Sequence, residues 1–470
     1  MTTAPDATPN RFKMPHAFVL MFGALALSCA ATYLLPSGEY QRAELNIAGS
    51  IKTTIVPGSY APVPASPVGP IGLLECVQKG LVDAADVIFF VFLVGGAFAT
   101  IERTGALEAG LGRLVSSIKG NALWAMVPVM ILFALGGASI GMSEEVIAFV
   151  PMMLLLARRL DLDRTMAVAL CMGAATVGYG FAPLNPFSVG IAQSFAGLPL
   201  FSGIGFRSVV CSIAVALFIA HCFRYAKKVR RDGPRPGAAF SVGESGTVPE
   251  SVPWARGRHT FVWLVLAASA VALVVGVMNY GWYMQELSML FLAAGIIAGV
   301  FGGLRLNGTA EAFVKGFSDI AFGAIIIGVA RAIKVVLERG HVIDTVVYGL
   351  FTPLSEFPAW VAGLGLFLAQ GLIHFLIPSS SGQATATMPI VIPLADLLGL
   401  TRQTAVLAFQ YGDGITNFFW PTQGALVAVI ATARLPFDEW LRFVMPYVLQ
   451  ATVLAVVALL VAYAIGLGPA

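Results

Sequence analysis

The sequence predicts an all-α integral membrane protein with two inverted-topology repeats, each containing a re-entrant helical hairpin and a broken transmembrane helix. Apolar residues make up 58% of the chain and charged residues only 11%, a balance typical of membrane-embedded proteins. Apolar runs of about 20 residues, enough to cross a bilayer core, recur along the chain. Polar stretches such as "HFLIPSSSGQATATMP" (374–389) interrupt these runs, so they are predicted to lie at membrane depth.

The first apolar run, residues 16–35, follows Arg11 and Lys13. It is too long for a signal peptide, so we predict a first span after a tail of residues 1–14. Lys and Arg concentrate in cytoplasmic loops, and the strongest basic cluster covers residues 224–235. Placing these basic segments inside predicts a multi-pass protein of the inner membrane with a cytoplasmic N-terminus and an external loop at 37–70.

A re-entrant hairpin is predicted where two apolar legs, 122–138 and 146–157, flank the polar sequence "SIGMSEE" (139–145). At 1.5 Å per residue the second leg reaches only about 18 Å, which is too short to cross the bilayer. Irregular backbone at that depth must be buried in protein or line a cavity, so the tip is a candidate site. Two ordinary spans joined by a short external loop are the alternative.

An internal repeat appears at an offset of 238 residues, which pairs Pro183 with Pro421 and Ser143 with Ser381. Both copies read as a polar tip, a short apolar leg, an apolar helix and a broken stretch, "GYGFAPLNP" in the first and "GDGITNFFWP" in the second. The predicted organisation is a cytoplasmic N-terminal tail (1–14), repeat A (15–225), a basic cytoplasmic linker (226–258), a connecting span (259–281) and repeat B (282–470). Repeat A has its hairpin at about 121–160 and its broken helix at about 163–196. Repeat B has its hairpin at about 359–399 and its broken helix at about 401–433.

The connecting span decides the relative orientation of the two copies. One extra span between the halves makes the second hairpin open from the opposite side, the inverted-repeat arrangement of many secondary transporters. Arg339, His341 and Arg402 then lie outside, against the charge rule.

The polar breaks supply candidate ligands for a substrate. A single Ser or Thr in a helix usually caps it or bonds to its own backbone, but four breaks in two related pairs favour a binding site with exposed helix N-termini suited to carboxylates. The substrate-binding candidates are Ser143, Asn185, Ser379, Ser380, Ser381, Gln383, Thr416, Asn417 and Thr422.

Ionisable groups inside a membrane are costly and therefore candidates for function. Such groups could hold Na⁺, carry H⁺ or meet a substrate amine, although one glutamate could cap a helix and the histidine could be a core residue. The ion-coupling candidates are Ser139, Glu144, Glu145, Asp413 and His374. Arg331 is a further buried charge, for which a structural ion pair and a substrate contact both stay open. No cofactor is expected beyond Na⁺ or H⁺ as coupling ion.

Several other classes lack their motifs. Five cysteines without a CxxC pair indicate apolar packing, and no HExxH, GxGxxG or GK sequence occurs, so a metalloprotease and an ATP-driven pump are unsupported.

An intramembrane serine hydrolase, with Ser379 or Ser381 as nucleophile and His374 as base, is the rival from another class. A channel also stays open, although paired polar breaks suit an occluded site better. A net charge of +3 says little about partners; a small molecule and the bilayer are expected, and no nucleic acid.

The chain also resembles a known family, the anaerobic C4-dicarboxylate carriers in their YfcC-like branch, within the ion transporter superfamily. The resemblance covers nearly the whole chain and is most specific in "IPSSSGQATATMPIVIPLADLLG" and "FQYGDGITNFFWPT". It implies a non-enzymatic carrier with a dimerising scaffold, hence a homodimer, and an elevator-like transport domain. In related carriers, hairpin serines and nearby Asn and Thr hold a carboxylate beside sodium sites.

The acidic content departs from that pattern. "MSEE" at the first tip lacks the Ser-Asn-Thr signature of sodium-dicarboxylate carriers, and members of the branch also resemble proteins assigned as basic amino acid antiporters. The sequence therefore predicts a secondary transporter, by symport or exchange, for a small carboxylate-bearing metabolite. An amino acid such as arginine or ornithine is favoured over a C4-dicarboxylate or a short-chain carboxylate.

Overall fold

The computed structural model describes residues 17–47, 50–117, 122–240, 254–280, 282 and 284–468, and within these ranges the chain is helical apart from two short β-hairpins. The predicted tail (1–14) and residues 241–253 of the predicted linker lie outside the described residues. The all-α prediction is confirmed, whereas the predicted domain limits stay predictions.

The described residues of the first half form ten α-helices and four strands. These elements are α1 (Ala17–Leu34), β1 (Gly38–Glu39), β2 (Arg42–Ile47), β3 (Ser50–Ile55), β4 (Ala61–Pro62), α2 (Pro70–Asp83), α3 (Ala85–Arg103), α4 (Ala106–Ser117), α5 (Met126–Ile140), α6 (Val150–Arg159), α7 (Arg164–Val168), α8 (Ala174–Gly180), α9 (Ile191–Ala196) and α10 (Ile204–Asp232). A wider helical turn, Ala169–Gly173, joins α7 to α8, and another, Pro186–Gly190, leads into α9. Strand β1 pairs with β4 and β2 with β3, both antiparallel.

The described residues of the second half form helices and connecting segments, with no strand among them. Its helices are α11 (Arg256–Tyr280), α12 (Met284–Gly299), α13 (Arg305–Arg339), α14 (Ile343–Phe351), α15 (Ala359–Leu376), α16 (Ser380–Leu398), α17 (Arg402–Thr416), α18 (Gly424–Thr432) and α19 (Phe437–Ala464). A kink at Gly303, where φ is 109°, separates α12 from α13. Glycine is needed there because other residues rarely adopt this backbone conformation.

Six helical segments among the described residues are long and apolar enough to cross a membrane. They are Ala85–Arg103, Leu123–Ile140, Ile204–Asp232, Met284–Arg339, Ala359–Leu376 and Phe437–Ala464. Helix α1 covers the predicted first span, and α5 with α6 and α15 with α16 cover the two predicted hairpins. The crossing of the membrane by α1 and the re-entrant course of the hairpins stay predictions.

The same order of elements recurs at the offset of 238 residues. Subtracting 238 from α15, α17 and α18 gives 121–138, 164–178 and 186–194, which closely match α5 with its preceding turn, α7 to α8, and the turn leading into α9. The helices and breaks of the structure therefore recur at the offset that the sequence repeat indicated. The opposite orientation of the two copies stays a prediction.

Two regions are more ordered than their sequence indicates. Residues 37–70, predicted only as an external loop, form the two β-hairpins and the start of α2. Helix α10 runs on to Asp232, so part of the predicted linker is helical.

The helices that lead to the hairpin tips and to the breaks cross at glycines. Helix α5 meets α8 where Gly137 and Gly178 each lie against the partner's backbone, and α8 meets α17 at Gly180 and Gly414. Helix α17 then meets α15 at Gly412, where an added Cβ would lie 2.5 Å from the carbonyl oxygen of Phe367. Because no side chain separates these backbones, the four helices form one closely packed row.

We distinguish two packed sets of helices. The α13 group comprises α1, α2, α3, α12 and α13, which pack on one another. The hairpin group comprises α5 to α10 and α15 to α19, and is held together chiefly by α5 on α8, α15 on α17 and α17 on α8 and α19. The groups meet where α13 packs against α18 and α3 packs against the turn that follows the first hairpin tip.

The β-hairpins are fastened to the region between α13 and α14. The carboxylate of Asp344 accepts a hydrogen bond from the Tyr40 amide (2.9 Å) and pairs with Arg42 (3.1 Å). His341 Nδ1 lies 2.6 Å from Glu39 Oε1, and the Ser37 hydroxyl donates to the Gly340 carbonyl (3.0 Å).

The glycine crossing predicts that Gly414→Ala destabilises the protein. An added Cβ would overlap the Cα of Gly180, and overpacking of this kind costs about 1–3 kcal/mol. We expect a lower melting temperature in detergent. The matched change Gly349→Ala lies in α14 with no heavy atom within 4 Å of the added Cβ, and should leave stability unchanged or raise it. Equal effects of the two changes would contradict the packing argument.

The Asp344 contacts predict that Asp344→Ala loosens the β-hairpins, because the nearly buried Tyr40 amide loses its acceptor, a loss of about 1–3 kcal/mol. Limited proteolysis should cut more rapidly within residues 40–60. Asp83→Ala removes only an exposed pair with Lys79, which is worth about 0–1 kcal/mol, and should not change the cutting rate. An unchanged rate in Asp344→Ala would argue against this anchor.

Candidate functional site

The tips of the two hairpins meet at one cavity of about 100 Å³. Gly141, Ser143, Glu144 and Glu145 reach it from the first tip, and residues 378–381 reach it from the second. Tyr179 of α8, Gln423 before α18 and Arg331 of α13 complete its polar lining. Nine polar side chains on five separate segments thus converge at this cavity.

The first tip carries the acidic side of the cavity. Helix α5 ends at Gly141 in the left-handed conformation (φ 67°), which turns the chain sharply into the tip. The Ser143 amide donates to Glu145 Oε2 (3.0 Å), so Glu145 is held by the tip's own backbone. Glu144 lines the cavity beside it.

Arg331 supplies a positive charge from the other side. It lies on α13, and Val87 of α3 and Met284 of α12 line the cavity with it. Its partly buried guanidinium makes no hydrogen bond and no ion pair within 4 Å among the described side chains. The cavity therefore lies between the α13 group and the hairpin group, with a cation on one and carboxylates on the other.

The second tip is fastened to the second broken helix. Ser380 begins α16, and its hydroxyl donates to Asp413 Oδ2 of α17 in a short hydrogen bond. The Tyr179 hydroxyl in turn donates to Ser380 Oγ. Ser379 precedes the helix, and its hydroxyl lies 3.5 Å from that of Ser381. A chain of hydroxyl groups thus links the cavity to a buried carboxylate.

His374 lies beneath this tip and is fully buried, as is Asp413. Its Nδ1 lies 2.9 Å from Gln383 Oε1 and 2.8 Å from Asp413 Oδ1, although the second approach is not aligned for a hydrogen bond. Its Nε2 lies 3.1 Å from Asn417 Oδ1. Both ring nitrogens therefore contact oxygen atoms.

A layer of amides holds that arrangement. Gln383 Nε2 donates to the carbonyl oxygen (2.8 Å) and the side-chain oxygen (2.7 Å) of Gln370, and Gln370 Nε2 donates to the Thr387 hydroxyl (3.0 Å). Gln423 Nε2 donates to Asn417 Oδ1 in a short hydrogen bond. Buried polar groups are costly without partners, so a network of this density fixes the geometry of the site.

The two breaks predicted in the sequence are present. Helix α8 ends at Gly180 and α17 at Thr416. In the first break the fully buried Asn185 caps the next helical turn, with Oδ1 accepting from the amides of Phe187 (2.8 Å) and Ser188 (3.3 Å). In the second break Asn417 turns to His374, and Thr422 is buried with no hydrogen-bond partner among the described residues.

Not every predicted site residue reaches the cavity. Ser139 donates to the Leu135 carbonyl (2.6 Å) and Thr416 to the Gly412 carbonyl (2.8 Å), both within their own helices. Asn185 acts as a helix cap in this conformation. The candidates that line the cavity are Ser143, Glu144, Glu145, Arg331, Ser379, Ser380 and Ser381. Gln383, His374, Asp413 and Asn417 form the layer beneath it.

The sequence analysis did not single out Tyr179, Gln370, Thr387 or Gln423, which share this network. Gln370 is an isolated polar residue in an apolar helix, whereas Tyr179 and Thr387 lie within the polar stretches already noted and Gln423 follows the second of them. The one available signal is the cost of burying a polar group without a partner, which marks Gln370 in "FLAQGLIHF" only once helix packing is known.

A larger cavity of about 630 Å³ adjoins the site, and we call it the vestibule. It lies under the β-hairpins and the ends of α13 and α14, with Arg42, Lys334 and Asp344 in its lining. Ser381 lines both cavities. The second hairpin tip therefore separates the vestibule from the inner cavity.

Long apolar helices around an enclosed polar site define a multi-pass membrane transporter. The family model of DcuC, described as C4-dicarboxylate anaerobic carrier, matches residues 14–464, and the chain belongs to this family. The resemblance stated from the sequence is thus confirmed.

Its relatives and structural neighbours include the following. "Putative basic amino acid antiporter YfcC" of Escherichia coli is 30% identical, covering 94% of this chain and 95% of its own. An uncharacterized protein of Haemophilus influenzae is 29% identical, covering 94% and 96%. The YdaH transporter of Alcanivorax borkumensis (18% identity, 97% and 99% covered, TM-score 0.44) and MtrF of Neisseria gonorrhoeae (15%, 95% and 94%, 0.43) are similar solved structures.

The serine hydrolase alternative is wrong, because the family consists of carriers. The geometry also gives it no support. His374 contacts Gln383, Asp413 and Asn417, and no serine hydroxyl approaches either ring nitrogen within hydrogen-bond distance among the described residues.

The Ser380 contact predicts a loss of stability in Ser380→Ala. Asp413 Oδ2 would lose its hydroxyl donor in a buried site, which costs about 1–3 kcal/mol or more. We expect a lower melting temperature. Ser212→Ala, which removes only a bond to the Ser208 carbonyl on an exposed face of α10, should melt like the wild type. A Ser380→Ala protein that also melts like the wild type would show that this link does not hold the tip.

Proposed function

We propose that this protein is a secondary transporter for a small metabolite that carries both a carboxylate and a positive charge, such as arginine or ornithine. The observation that carries the proposal is the mixed charge of the inner cavity, with Arg331 on one side and Glu144 and Glu145 on the other. A zwitterion or basic amino acid matches both charges, whereas a dicarboxylate matches only the arginine. The name of the Escherichia coli relative agrees with this preference.

Carboxylate binding would use Arg331 with the second tip. Residues 378–381 bring the start of α16 and three serine hydroxyls to the same cavity as the guanidinium. A helix N-terminus presents free amide N–H groups and a partial positive charge, which favour a carboxylate. An arginine side chain can bind a carboxylate through two parallel hydrogen bonds, and this one has no other ion pair among the described residues.

The amino group or cationic side chain would meet the first tip. Glu145 is oriented by the Ser143 amide, and Glu144 lies next to it in the cavity wall. When both carboxylates are ionised, they outnumber the one guanidinium and leave the cavity with an excess of negative charge. A second positive charge on the substrate would neutralise that excess, which favours a basic amino acid.

Transport would require the tips to move. At about 100 Å³, the inner cavity is smaller than the roughly 300–1,000 Å³ of typical ligand pockets, so a metabolite enters only if a tip shifts. The vestibule of about 630 Å³ is large enough to admit one and reaches Ser381. We infer alternating access by motion of the hairpin group against the α13 group, in an elevator-like homodimer of the inner membrane. The cytoplasmic N-terminus then places the vestibule outside.

A C4-dicarboxylate is the second candidate, because the family description names that substrate class. Two carboxylates would share Arg331 and the hydroxyls of the second tip. The acidic residues of the first tip would then oppose the substrate unless they bind a proton or a cation.

A binding screen separates these candidates. Purified protein would be melted with arginine, ornithine, succinate, fumarate and butyrate, each with and without Na⁺, since a ligand of the folded state raises the melting temperature. We expect arginine or ornithine to raise it. A rise with succinate or fumarate alone would replace the amino acid proposal, and no rise with any compound would leave the substrate class without support.

Charge-removing variants test the assigned roles. For a basic amino acid, Arg331→Gln and Glu145→Gln should each weaken binding by tenfold or more, since an ionic hydrogen bond is worth about 1.5–3 kcal/mol. For a dicarboxylate, only Arg331→Gln should weaken it. Lys315→Gln on the same helix and Glu311→Gln alter exposed ion pairs and should leave the affinity unchanged. If the Arg331→Gln protein bound the substrate with wild-type affinity, the Arg331 side chain would have no role in substrate binding.

A further inference from the structure

We propose that His374 and Asp413 form the proton-binding site that couples transport to H⁺, with the His374 ring doubly protonated in this conformation. This inference names the coupling ion of the proposed transporter and rests on that function. It is drawn from the orientations of the amides around the ring, which decide the number of protons that the ring carries.

The amide of Gln383 has one possible orientation. Its nitrogen faces the backbone carbonyl of Gln370 at 2.8 Å, and a carbonyl can only accept. Turning the amide over would set two oxygens against each other. Gln383 Oε1 is therefore the atom that faces His374 Nδ1 at 2.9 Å, so Nδ1 must carry a hydrogen.

The amide of Asn417 is fixed in the same way. Its nitrogen donates to the backbone carbonyl of Asp413 at 2.9 Å, which leaves Oδ1 against His374 Nε2 at 3.1 Å. Gln423 Nε2 also contacts that Oδ1 as a donor. Nε2 must therefore carry a hydrogen as well.

A histidine with hydrogen on both nitrogens is a cation, and a buried cation needs an opposite charge. Asp413 supplies it, with Oδ1 2.8 Å from Nδ1. The ring and the carboxylate are both fully buried. The arrangement is an imidazolium and carboxylate pair enclosed by three oriented oxygen atoms.

No other charged group competes for the ring among the described residues. The ionisable side chains on the packed elements have other partners. Arg207 binds Gln403 and Gln410, Tyr411 faces Phe181, Asp344 binds Arg42, Glu439 binds Arg235 and Arg442, and Asp396 binds Arg402, while Arg331, Glu144 and Glu145 line the inner cavity. The protonation state of His374 therefore depends chiefly on Asp413.

A route connects the pair to the inner cavity. Tyr179 and Ser380 both line the cavity, Tyr179 donates to Ser380, and Ser380 donates to Asp413 Oδ2. These hydrogen bonds point from the cavity toward the carboxylate. A proton from cavity water can be taken up as each hydroxyl passes on its own hydrogen and receives another, so that only the His374 and Asp413 pair gains charge.

Loss of the proton would loosen the second tip. A neutral ring has one nitrogen without hydrogen, and its lone pair would face either Gln383 Oε1 on α16 or Asn417 Oδ1 in the break after α17. Neither amide can turn, because each is tied to a backbone carbonyl. Deprotonation thus disfavours the packing of α16 on α17, which links the proton to the position of the hairpin beside the substrate.

The oxygen atoms around the ring also argue against Na⁺ at this position. Gln383, Asn417 and Asp413 present three oxygens toward one point, as a cation site would, but the imidazolium already occupies it.

The test is nitrogen NMR of the full-length protein in lipid bilayers, labelled with ¹⁵N-histidine. The chain has five histidines, and His374→Gln identifies the signal of interest by difference. At about pH 7.5, where a histidine with the ordinary pKa of about 6.5 is mostly neutral, we expect both nitrogens of His374 to give protonated resonances. A neutral tautomer at that pH would overturn the proposal.

Two variants sharpen the result. Asp413→Asn removes the counter-charge while retaining the shape, and should convert the His374 signal to a neutral tautomer at the same pH; an unchanged signal would overturn the assigned pairing. His221→Gln removes a ring that contacts the Phe443 carbonyl and should leave the His374 signal unaltered. If Asp413→Asn does not fold, the wild-type spectrum still decides.

Transport supplies the second readout. Proteoliposomes containing a pH-sensitive dye would be given arginine or succinate, and we expect a proton flux with the transported compound that is lost in His374→Gln and does not require Na⁺. Transport that requires Na⁺ and moves no protons would overturn the proposal. The NMR result needs no substrate, so a failed substrate screen with a protonated His374 would count against the proposed function alone.

Discussion

The site depends on the close approach of two broken helices. Helices α8 and α17 touch backbone to backbone at Gly180 and Gly414, and this contact joins the two halves of the chain. Each helix ends within a few residues of the crossing, so the breaks that follow open beside one another. Side chains at the crossing would separate the helices and carry the two hairpin tips apart.

Burial then determines what the polar residues do. A polar side chain in a packed apolar interior must find a partner, and around His374 the partners are the amides of Gln370, Gln383, Asn417 and Gln423. Because two of these amides are tied to backbone carbonyls, the network has one arrangement of donors and acceptors. Its polarity specifies a cation at the ring, which a looser set of hydroxyls could not do.

Much of this architecture could be predicted from the sequence, because the relevant signals are local. Pro183, Pro421 and the polar residues around them interrupt apolar runs, and the short leg after "SIGMSEE" is visible from its length. The repeat at 238 residues added the pairing of the two hairpins. These features locate both tips and both breaks within a few residues of their places in the structure.

The remaining features depend on contacts between distant segments. Ser139 and Thr416 look like ligands in the sequence but satisfy their hydroxyls within their own helices, a choice that depends on which way each helix faces. Gln370 has no neighbours in the sequence that mark it. The β-hairpins are held by Asp344, about 300 residues away, with separations of 302 and 304 residues to Arg42 and Tyr40, and no local pattern indicates that contact.

The placement of charge connects the two packed groups to the chemistry of transport. Arg331 belongs to the α13 group, whereas the acidic tip, the serines and the His374 and Asp413 pair belong to the hairpin group. A substrate that binds Arg331 and the serines together would therefore bridge the two groups, while the proposed proton would act within the hairpin group alone. Substrate and proton meet at Ser380, which lines the inner cavity and donates to Asp413. Ser380 is thus the residue through which substrate binding and proton binding can affect each other.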